Sequence, residues 1–256
     1  MKVDVLSLDG KKMKIIDLPN QFNEEIRPSL MKRAVLSLMS RLRQAYGATP
    51  LAGMRHSTKL SRRRKHFKTS YGKGISRVPR KTMSRRGTNF KWVGAQAPGM
   101  VGGRRAHAPK LEKNWELKIN KKERQKALRS AFAFSIQNQR SIIVEDKLET
   151  IKKSKDIKNV LEKIGLNKEV KRISESSIRS GRGKTRGRAK KVKIGPLFIF
   201  SNNCDAEKAV NNLQGCTSAN VKSLNNLIIS QGQEGVRYLI WSEKAIEEMK
   251  KGGLYL

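Results

Sequence analysis

The segment SRRRKHFKTSYGKGISRVPRKTMSRRGTNFKW, residues 61–92, has the chemistry to bind a polyanion, because it combines twelve Lys or Arg with four aromatic residues and contains no Asp or Glu. Ammonium and guanidinium groups pair with phosphate, and aromatic rings stack on unpaired bases. The gap in acidic residues is wider than this segment, since no carboxylate lies between Glu25 and Glu112. An ordinary solvated surface mixes both signs of charge. A partner that supplies phosphates therefore explains the gap better than the plainer alternative, a disordered basic linker.

The bulk composition limits the class of protein and its location. With 256 residues, of which 37% are hydrophobic, the chain can form one substantial domain with a buried core, or at most two small ones. Its formal net charge of +36 disfavours homo-oligomers and favours a polyanion, either nucleic acid or an anionic membrane surface. The longest apolar run, IGPLFIF at 194–200, is too short to span a membrane, and MKVDVLSLDG at 1–10 lacks the continuous apolar block of a signal. We therefore expect a cytoplasmic protein that binds nucleic acid and no membrane.

Two patterns could suggest catalysis, and neither has the required spacing. The sequence GKT at 183–185 resembles the end of a phosphate-binding P-loop, but that loop needs a glycine where Ile178 stands. The three histidines, His56, His66 and His107, lie inside the carboxylate gap and have no acidic partner there to form a catalytic set. We expect them to contact RNA or solvent.

The cysteines do not indicate a disulfide framework or a metal centre. Cys204 and Cys216 are only two, and no histidine lies near them in the sequence. Both are expected to be ordinary buried or half-buried thiols. The sequence therefore predicts no catalytic residues, no metal, no cofactor and no small-molecule substrate, and the protein is not expected to be an enzyme.

The type of nucleic acid follows from the glycine and proline content. Residues 47–109 hold nine Gly and four Pro, a density that the continuous helix of a DNA-groove binder could not tolerate. Glycine allows close approach of the backbone to phosphate, and proline fixes an extended path. These features favour a loop that threads through folded RNA, with ring faces for unpaired bases on Phe67, Tyr71, Phe90 and Trp92.

A second basic segment, SIRSGRGKTRGRAKKVK at 177–193, has eight Lys or Arg and again no acid. We interpret it as a second RNA contact. Two rivals stay open: a general nucleic-acid chaperone, which would bind duplex DNA as well as folded RNA, and a phosphate-handling enzyme, which would lose turnover on changing Lys184 or Thr185.

The remaining sequence predicts the elements that must position these segments. A hairpin is expected over 3–18 around Asp9-Gly10, and helices over 28–46 and over 120–137, the second with Asn120 as N-cap. Apolar strands then alternate with helices: strand SIIVED, helix 156–164, strand PLFIFS, helix 205–213, strand VRYLIW and helix 242–250. This order predicts an α/β fold with a mainly parallel sheet flanked by helices, and a long basic extended loop inserted near the N-terminal third. The expected division is a body of residues 1–46 and 111–256 and a loop of residues 47–110.

Five segments of the sequence occur in the same order as in a known protein family. They are GKGISRVPR (72–80), GGRRAHAPKLEK (102–113), INKKERQKALRSA (119–131), IRSGRGKTRGRAKKVKIGPL (178–197) and RYLIWSEKAI (237–246). Together they closely resemble the archaeal and eukaryotic branch of the large-subunit ribosomal protein four family, over essentially the whole chain.

The resemblance implies a structural constituent of the large ribosomal subunit that supports subunit assembly and translation. Its partners would be large-subunit ribosomal RNA and neighbouring large-subunit ribosomal proteins, and its loop would reach the wall of the nascent-peptide exit tunnel. The family blocks bracket the loop tip at about residues 81–101. The candidates for the tunnel wall are Arg85, Arg86, Phe90, Trp92 and Met100.

The candidate contacts to ribosomal RNA come from the basic loop and from the second basic segment. They are Arg55, Lys59, Arg62, Arg63, Arg64, Lys65, Lys68, Lys73, Arg77, Arg80, Lys81, Arg85, Arg86, Lys91, Trp92, Arg104, Arg105, His107, Arg182, Lys184, Arg186 and Arg188.

Overall fold

The computed structural model describes residues 1–66, 69–87, 89–230 and 235–255. The chain divides into two compact units, which we call the body (Met1–Leu42 with Glu116–Leu256) and the loop unit (Arg43–Trp115). The loop unit therefore begins four residues before, and ends five residues after, the segment 47–110 that the composition sets apart.

The elements are numbered along the chain. The strands are β1 (Lys2–Leu6), β2 (Lys12–Asp17), β3 (Arg80–Arg86), β4 (Asn89–Gly94), β5 (Ser141–Val144), β6 (Ser177–Ile178), β7 (Lys190–Lys191), β8 (Leu197–Phe200), β9 (Thr217–Asn220) and β10 (Leu239–Ser242). The helices are α1 (Pro28–Arg41), α2 (Lys121–Gln137), α3 (Ser154–Lys163), α4 (Asn167–Ser174), α5 (Asp205–Asn211), α6 (Asn226–Ser230) and α7 (Glu243–Lys251).

The body is organised by a six-stranded sheet with the order β2-β1-β5-β10-β8-β9. Strand β2 pairs antiparallel with β1, and every other neighbouring pair in this sheet is parallel. The α/β class with a mainly parallel sheet flanked by helices is therefore confirmed. Two hydrophobic clusters explain the continuous apolar strands, because successive residues of a strand point to opposite faces.

One cluster contains Leu197 and Ile199, and the other contains Phe198 and Phe200, so β8 is buried on both faces. Trp241 of β10 belongs to the first cluster, and its ring lies 5.5 Å from those of Phe22 and Phe132. These rings join the sheet to helix α2 and to the turn that precedes α1. The body therefore holds its shape through its own apolar burial.

Most of the predicted helices of the body are confirmed within a few residues. Helix α2 begins after Asn120, whose side chain accepts from the backbone of Glu123 while the Glu123 carboxylate accepts from the Asn120 amide, a full capping box. Helix α1 starts at Pro28 as expected but ends at Arg41, so its predicted extension to residue 46 is wrong. Tyr46 does not face the core of the body, because its ring packs in the loop unit at 4.8 Å from Trp115.

The hairpin over residues 3–18 is also confirmed, as β1 and β2. Gly10 turns the chain there with a φ of +79°, and its Cα hydrogens face the carbonyl oxygen of Lys163 without room for a side chain. The sequence did not predict α4, α6, β9, or the hairpins β3–β4 and β6–β7. The strands among them are polar, very short or charged on both faces, so they lack the apolar alternation that marks the others. Helix α4 does carry an apolar face, with Val170 and Ile173 buried, which the sequence reasoning overlooked.

Candidate nucleic-acid interface

The loop unit consists of two chain arms that lie against each other. Near its ends, the amide of Ala48 donates to the carbonyl oxygen of Pro109 at 3.0 Å. Farther along, Gly53 has a φ of +75°, and a Cβ there would lie 2.5 Å from the amide nitrogen of Arg104. Glycine at this position therefore permits the backbones to touch, and any larger residue would separate the arms.

Beyond this crossing, the chain forms an antiparallel hairpin from β3 and β4. Arg85 lies opposite Phe90 and Thr82 opposite Trp92, with an irregularity in the register between Thr82 and Ser84. The predicted tip, residues 81–101, thus contains a hydrogen-bonded hairpin, which the sequence did not predict. Phe90 and Trp92 share one face of β4, and their ring centroids are 6.1 Å apart.

A cation lies over the ring of each of three aromatic residues in the loop unit. The pairs, with the distance from the cation to the ring centroid, are Arg77 over Tyr71 at 5.1 Å, Arg85 over Phe90 at 5.2 Å and Lys73 over Trp92 at 5.3 Å. These distances fall within the range of cation–π attraction. The rings therefore orient the cations, and a stacked guanidinium keeps its outer N–H groups available for phosphate.

The electrostatic character of the two units differs. Residues 43–115 contain nineteen Lys or Arg and one carboxylate, Glu112. The described salt bridges join residues of the body, for example Arg129 and Glu24 at 2.9 Å. In the loop unit, the positive charges therefore far outnumber the one carboxylate, and an external polyanion would lower their mutual repulsion.

The predicted RNA contacts of the loop unit differ in their exposure. Lys68 lies outside the described residues, as does Phe67. Lys81 and Trp92 are half-buried, as are Phe90 and Met100, which are candidates for the tunnel wall only. The exposed candidates are Arg55, Lys59, Arg62, Arg63, Arg64, Lys65, Lys73, Arg77, Arg85, Arg86, Lys91, Arg104, Arg105 and His107. Their side chains are accessible to a partner.

Arg80 is different, because only 8% of it is exposed. Its guanidinium donates to the carbonyl oxygen of Ser76, and its backbone pairs with that of Lys59. We therefore expect Arg80 to hold the base of the hairpin in place rather than to reach a phosphate.

The second basic segment forms a small hairpin of its own in the body. Its strands β6 and β7 pair antiparallel, and the amide of Arg179 donates to the carbonyl oxygen of Ala189 at 2.7 Å. The connecting turn is tight at Gly183, where a Cβ would lie 2.7 Å from Cδ of Arg179. The predicted contacts on this turn are all exposed, namely Arg182, Lys184, Arg186 and Arg188.

The GKT sequence in this turn does not have the geometry of a nucleotide-binding loop. It lies between two short antiparallel strands, and a phosphate-binding loop connects a strand to a helix N-terminus. The Thr185 hydroxyl donates to the carbonyl oxygen of Arg182 at 2.9 Å. The turn therefore presents four separate cations, as a contact with an extended phosphate backbone requires.

Enzymes with a parallel α/β sheet place their sites at the carboxyl ends of the strands. At these ends of the sheet, the carboxylates of Glu149 and Asp146 have structural partners. Glu149 accepts from the hydroxyl of Ser242 at 2.7 Å and from the amide of Ser201 at 3.1 Å, which ties β10 to the end of β8. Asp146 accepts from the amide of Lys244 at 2.8 Å, while burial raises the pKa of this carboxyl above its usual value. These groups connect strands and cap α7.

The cysteines are free thiols, Cys204 half-buried and Cys216 buried, as the sequence predicts. Burial raises the pKa of each to about 11, so neither is a thiolate near neutral pH. Within the described residues, no group of three or more His, Cys, Asp or Glu could hold a metal ion. None of the helices in the described part of the chain is long and apolar enough to cross a membrane.

Sequence reasoning missed one part of this interface. The Tyr71 ring was expected to face an unpaired base, and the position of Arg77 over that ring was not foreseen. The alternation of Phe90, Lys91 and Trp92 was a signal for strand β4. The basic residues around it concealed that signal, since β3 has no matching apolar face.

The chain is similar to known proteins over its full length. A family model described as "Ribosomal protein L4/L1 family" matches residues 16–252. The protein named "Large ribosomal subunit protein uL4" of Nanoarchaeum equitans is 42% identical over 267 residues, covering 100% of both chains. The proteins of the same name are 38% identical in Archaeoglobus fulgidus, covering 96% of this chain and 97% of the relative, and 38% identical in Methanocaldococcus jannaschii, covering 98% and 99%.

Proposed function

The chain belongs to the ribosomal protein L4/L1 family, and from this premise we propose that it is a structural constituent of the large ribosomal subunit in the cytoplasm. Its role is to bind ribosomal RNA, to contact neighbouring large-subunit proteins and to contribute a loop to the nascent-peptide exit tunnel. This role supports subunit assembly and translation and involves no catalytic step.

The observation that carries the proposal is the charge of the loop unit, nineteen basic residues against one carboxylate. Such a unit neutralises phosphates along an RNA path and releases their counterions, which supplies most of the affinity. Its shape favours folded RNA over a DNA groove, because a bulged hairpin and two glycine-rich arms replace the continuous helix that a major groove would accept.

The tunnel contact is proposed for the turn end of the β3–β4 hairpin. Arg85 and Arg86 are exposed there, whereas Phe90 and Trp92 lie half-buried along the hairpin. Met100 packs beside the hairpin, since a Cβ on Gly94 would lie 2.6 Å from its Sδ. The arginines are therefore the better candidates for the tunnel lumen, and Met100 supports the strand behind them.

The first test is sedimentation of native lysate on a sucrose gradient, with and without ribonuclease. We expect the chain to sediment with the large subunit at moderate salt and to leave that fraction after ribonuclease. A chain that stays at the top of the gradient, or that sediments with DNA, would overturn the proposal in favour of a general nucleic-acid chaperone.

The tunnel assignment needs a separate test. A photo-crosslinking amino acid in place of Arg86 should form an adduct with a stalled nascent chain in assembled ribosomes. The matched control places the same amino acid at Lys155, an exposed position on α3 of the body. Adducts from both positions, or from neither, would contradict the assignment of the hairpin to the tunnel wall.

A further inference from the structure

The two ends of the loop unit meet in a cluster of aromatic rings and cations, which we call the neck: Arg43, Tyr46, Lys113 and Trp115. The ring centroids of Tyr46 and Trp115 are 4.8 Å apart. The guanidinium carbon of Arg43 lies 4.8 Å from the indole centroid and 5.2 Å from the phenol centroid. Nζ of Lys113 lies 5.4 Å from the same indole. Two cations therefore share one indole.

This arrangement places two like charges close together in a partly open site. Arg43 and Lys113 are exposed, and 51% of Tyr46 is exposed. Within the described residues, neither cation has a carboxylate at salt-bridge distance. The rings compensate part of the repulsion. An anion held between the two cations would compensate more of it, and phosphate matches the planar fork of an arginine.

The neck does not need its cations to stay closed. The Trp115 indole N–H donates to the carbonyl oxygen of Leu111 at 3.2 Å, and the Ala48 amide donates to Pro109 at 3.0 Å. Gly47 lies so close to Leu111 that a Cβ would be 2.9 Å from its Cγ. These contacts hold the two chain ends together without Arg43, so a purely structural role does not account for the charge.

We propose that the neck is a preformed phosphate-binding site for the RNA backbone at the root of the loop, separate from the hairpin and from the second basic segment. Arg43 donates two N–H groups to a phosphate in an orientation fixed by the two rings, and Lys113 adds a second charge. The inference rests on the proposed RNA-binding function and adds a contact to it.

The test compares full-length variants for binding to large-subunit ribosomal RNA as a function of salt. Arg43→Ala is expected to weaken binding about tenfold and to reduce the slope of log K against log salt by about one, since one phosphate contact is lost. Arg43→Lys keeps the charge but loses the fork, so it should restore the slope and only part of the affinity. Lys113→Ala should weaken binding less than Arg43→Ala.

The matched control is Arg41→Ala, which removes another exposed arginine, at the end of α1. It should change affinity less than threefold. An equal loss of RNA affinity in Arg41→Ala and Arg43→Ala would mean that the neck contributes only nonspecific charge, and it would overturn the inference. So would unchanged binding by the Arg43 and Lys113 variants while the wild-type chain binds.

Limited chymotrypsin digestion of each free variant separates binding from closure of the neck, because the cleavage sites at Tyr46 and Trp115 remain in every variant. Digestion at the wild-type rate, together with weaker RNA binding, supports the phosphate site. Faster cleavage near the neck with unchanged RNA affinity would make the cluster a structural clasp. A wild-type chain that fails to bind ribosomal RNA would overturn the proposed function itself, together with this inference.

Discussion

The body and the loop unit are stabilised in opposite ways. The body buries large side chains such as Trp241, Phe132 and Phe198 on both faces of its sheet. In the described part of the loop unit, the buried hydrophobic residue is Ala95, and the other buried side chains are Thr69, Ser70 and Arg80. The body therefore carries its own source of stability, while the loop unit has little apolar surface to offset the entropy of chain ordering.

The difference shows how one sequence can encode two kinds of structure. In the body, each apolar run finds its partner within the chain. In the loop unit, glycines bring the arms together and rings orient cations, but nineteen basic residues stand against a single carboxylate. We therefore expect a polyanionic ligand to stabilise this segment further.

The largest expected effect is the loss of RNA binding with salt. If about ten cations of the loop unit and the second basic segment reach phosphates, log K should fall against log salt with a slope of about −9 for duplex-like RNA. Affinity should then drop about 10⁵-fold between 50 and 200 mM salt. A filter-binding or fluorescence titration at several salt concentrations measures this slope, and a magnitude below about two would contradict the multi-phosphate contact.

The next effect contrasts two tryptophans. Trp241→Ala removes a fully buried ring from the body and should lower the free energy of unfolding by about 3–5 kcal/mol. Trp92→Ala, on the hairpin, should lower it by about 1 kcal/mol or less, because that ring is half-buried and contributes little to a core. Urea unfolding followed by circular dichroism measures both.

Trp241→Phe is a second variant in case Trp241→Ala does not fold, because it keeps one ring beside Phe22 and Phe132. It should give a loss smaller than that of Trp241→Ala. Equal losses from the alanine variants at positions 241 and 92 would erase the distinction between a core-stabilised body and a loop unit without a core.

A third experiment examines the loop unit in the absence of RNA. Trypsin should cut the free chain first within residues 55–105, where many exposed Lys and Arg lie in a segment with little apolar burial. Mass spectrometry of early fragments locates the cuts, and added ribosomal RNA should slow them. Resistance equal to that of the body would show that the loop unit is stable without its ligand.

The body could be predicted from sequence to a large extent, because its signals are local. The apolar run of β8 and the capping pair Asn120 and Glu123 specify their elements without knowledge of the rest of the chain. The basic character of the loop unit could be read from the sequence, but its geometry could not. The contact of Tyr46 with Trp115 joins positions far apart in the sequence, and the β3 strand carries charges where a strand pattern would show apolar residues.

The smallest expected effect concerns the stability of the body at low pH, which the loop unit does not share. Arg129 donates to Glu24 at 2.9 Å, and this hydrogen bond holds the pKa of the carboxyl below its ordinary value of 4.5. The unfolded chain therefore binds a proton at this site before the folded chain does, so the contribution of Glu24 to stability is present above pH 4.5 and is lost as pH falls through the lower, folded-state pKa.

Glu24→Gln should accordingly flatten the acid limb of the body's unfolding free energy below pH 4.5, measured by urea titration at several pH values. RNA binding near neutral pH should stay unchanged, because Glu24 and its partner Arg129 lie in the body and are not among the proposed RNA contacts. The matched control is Glu25→Gln, since Glu25 is exposed and its partner Arg27 is exposed as well. A steeper acid limb in Glu24→Gln, or weaker RNA binding, would mean that this ion pair does more than stabilise the body.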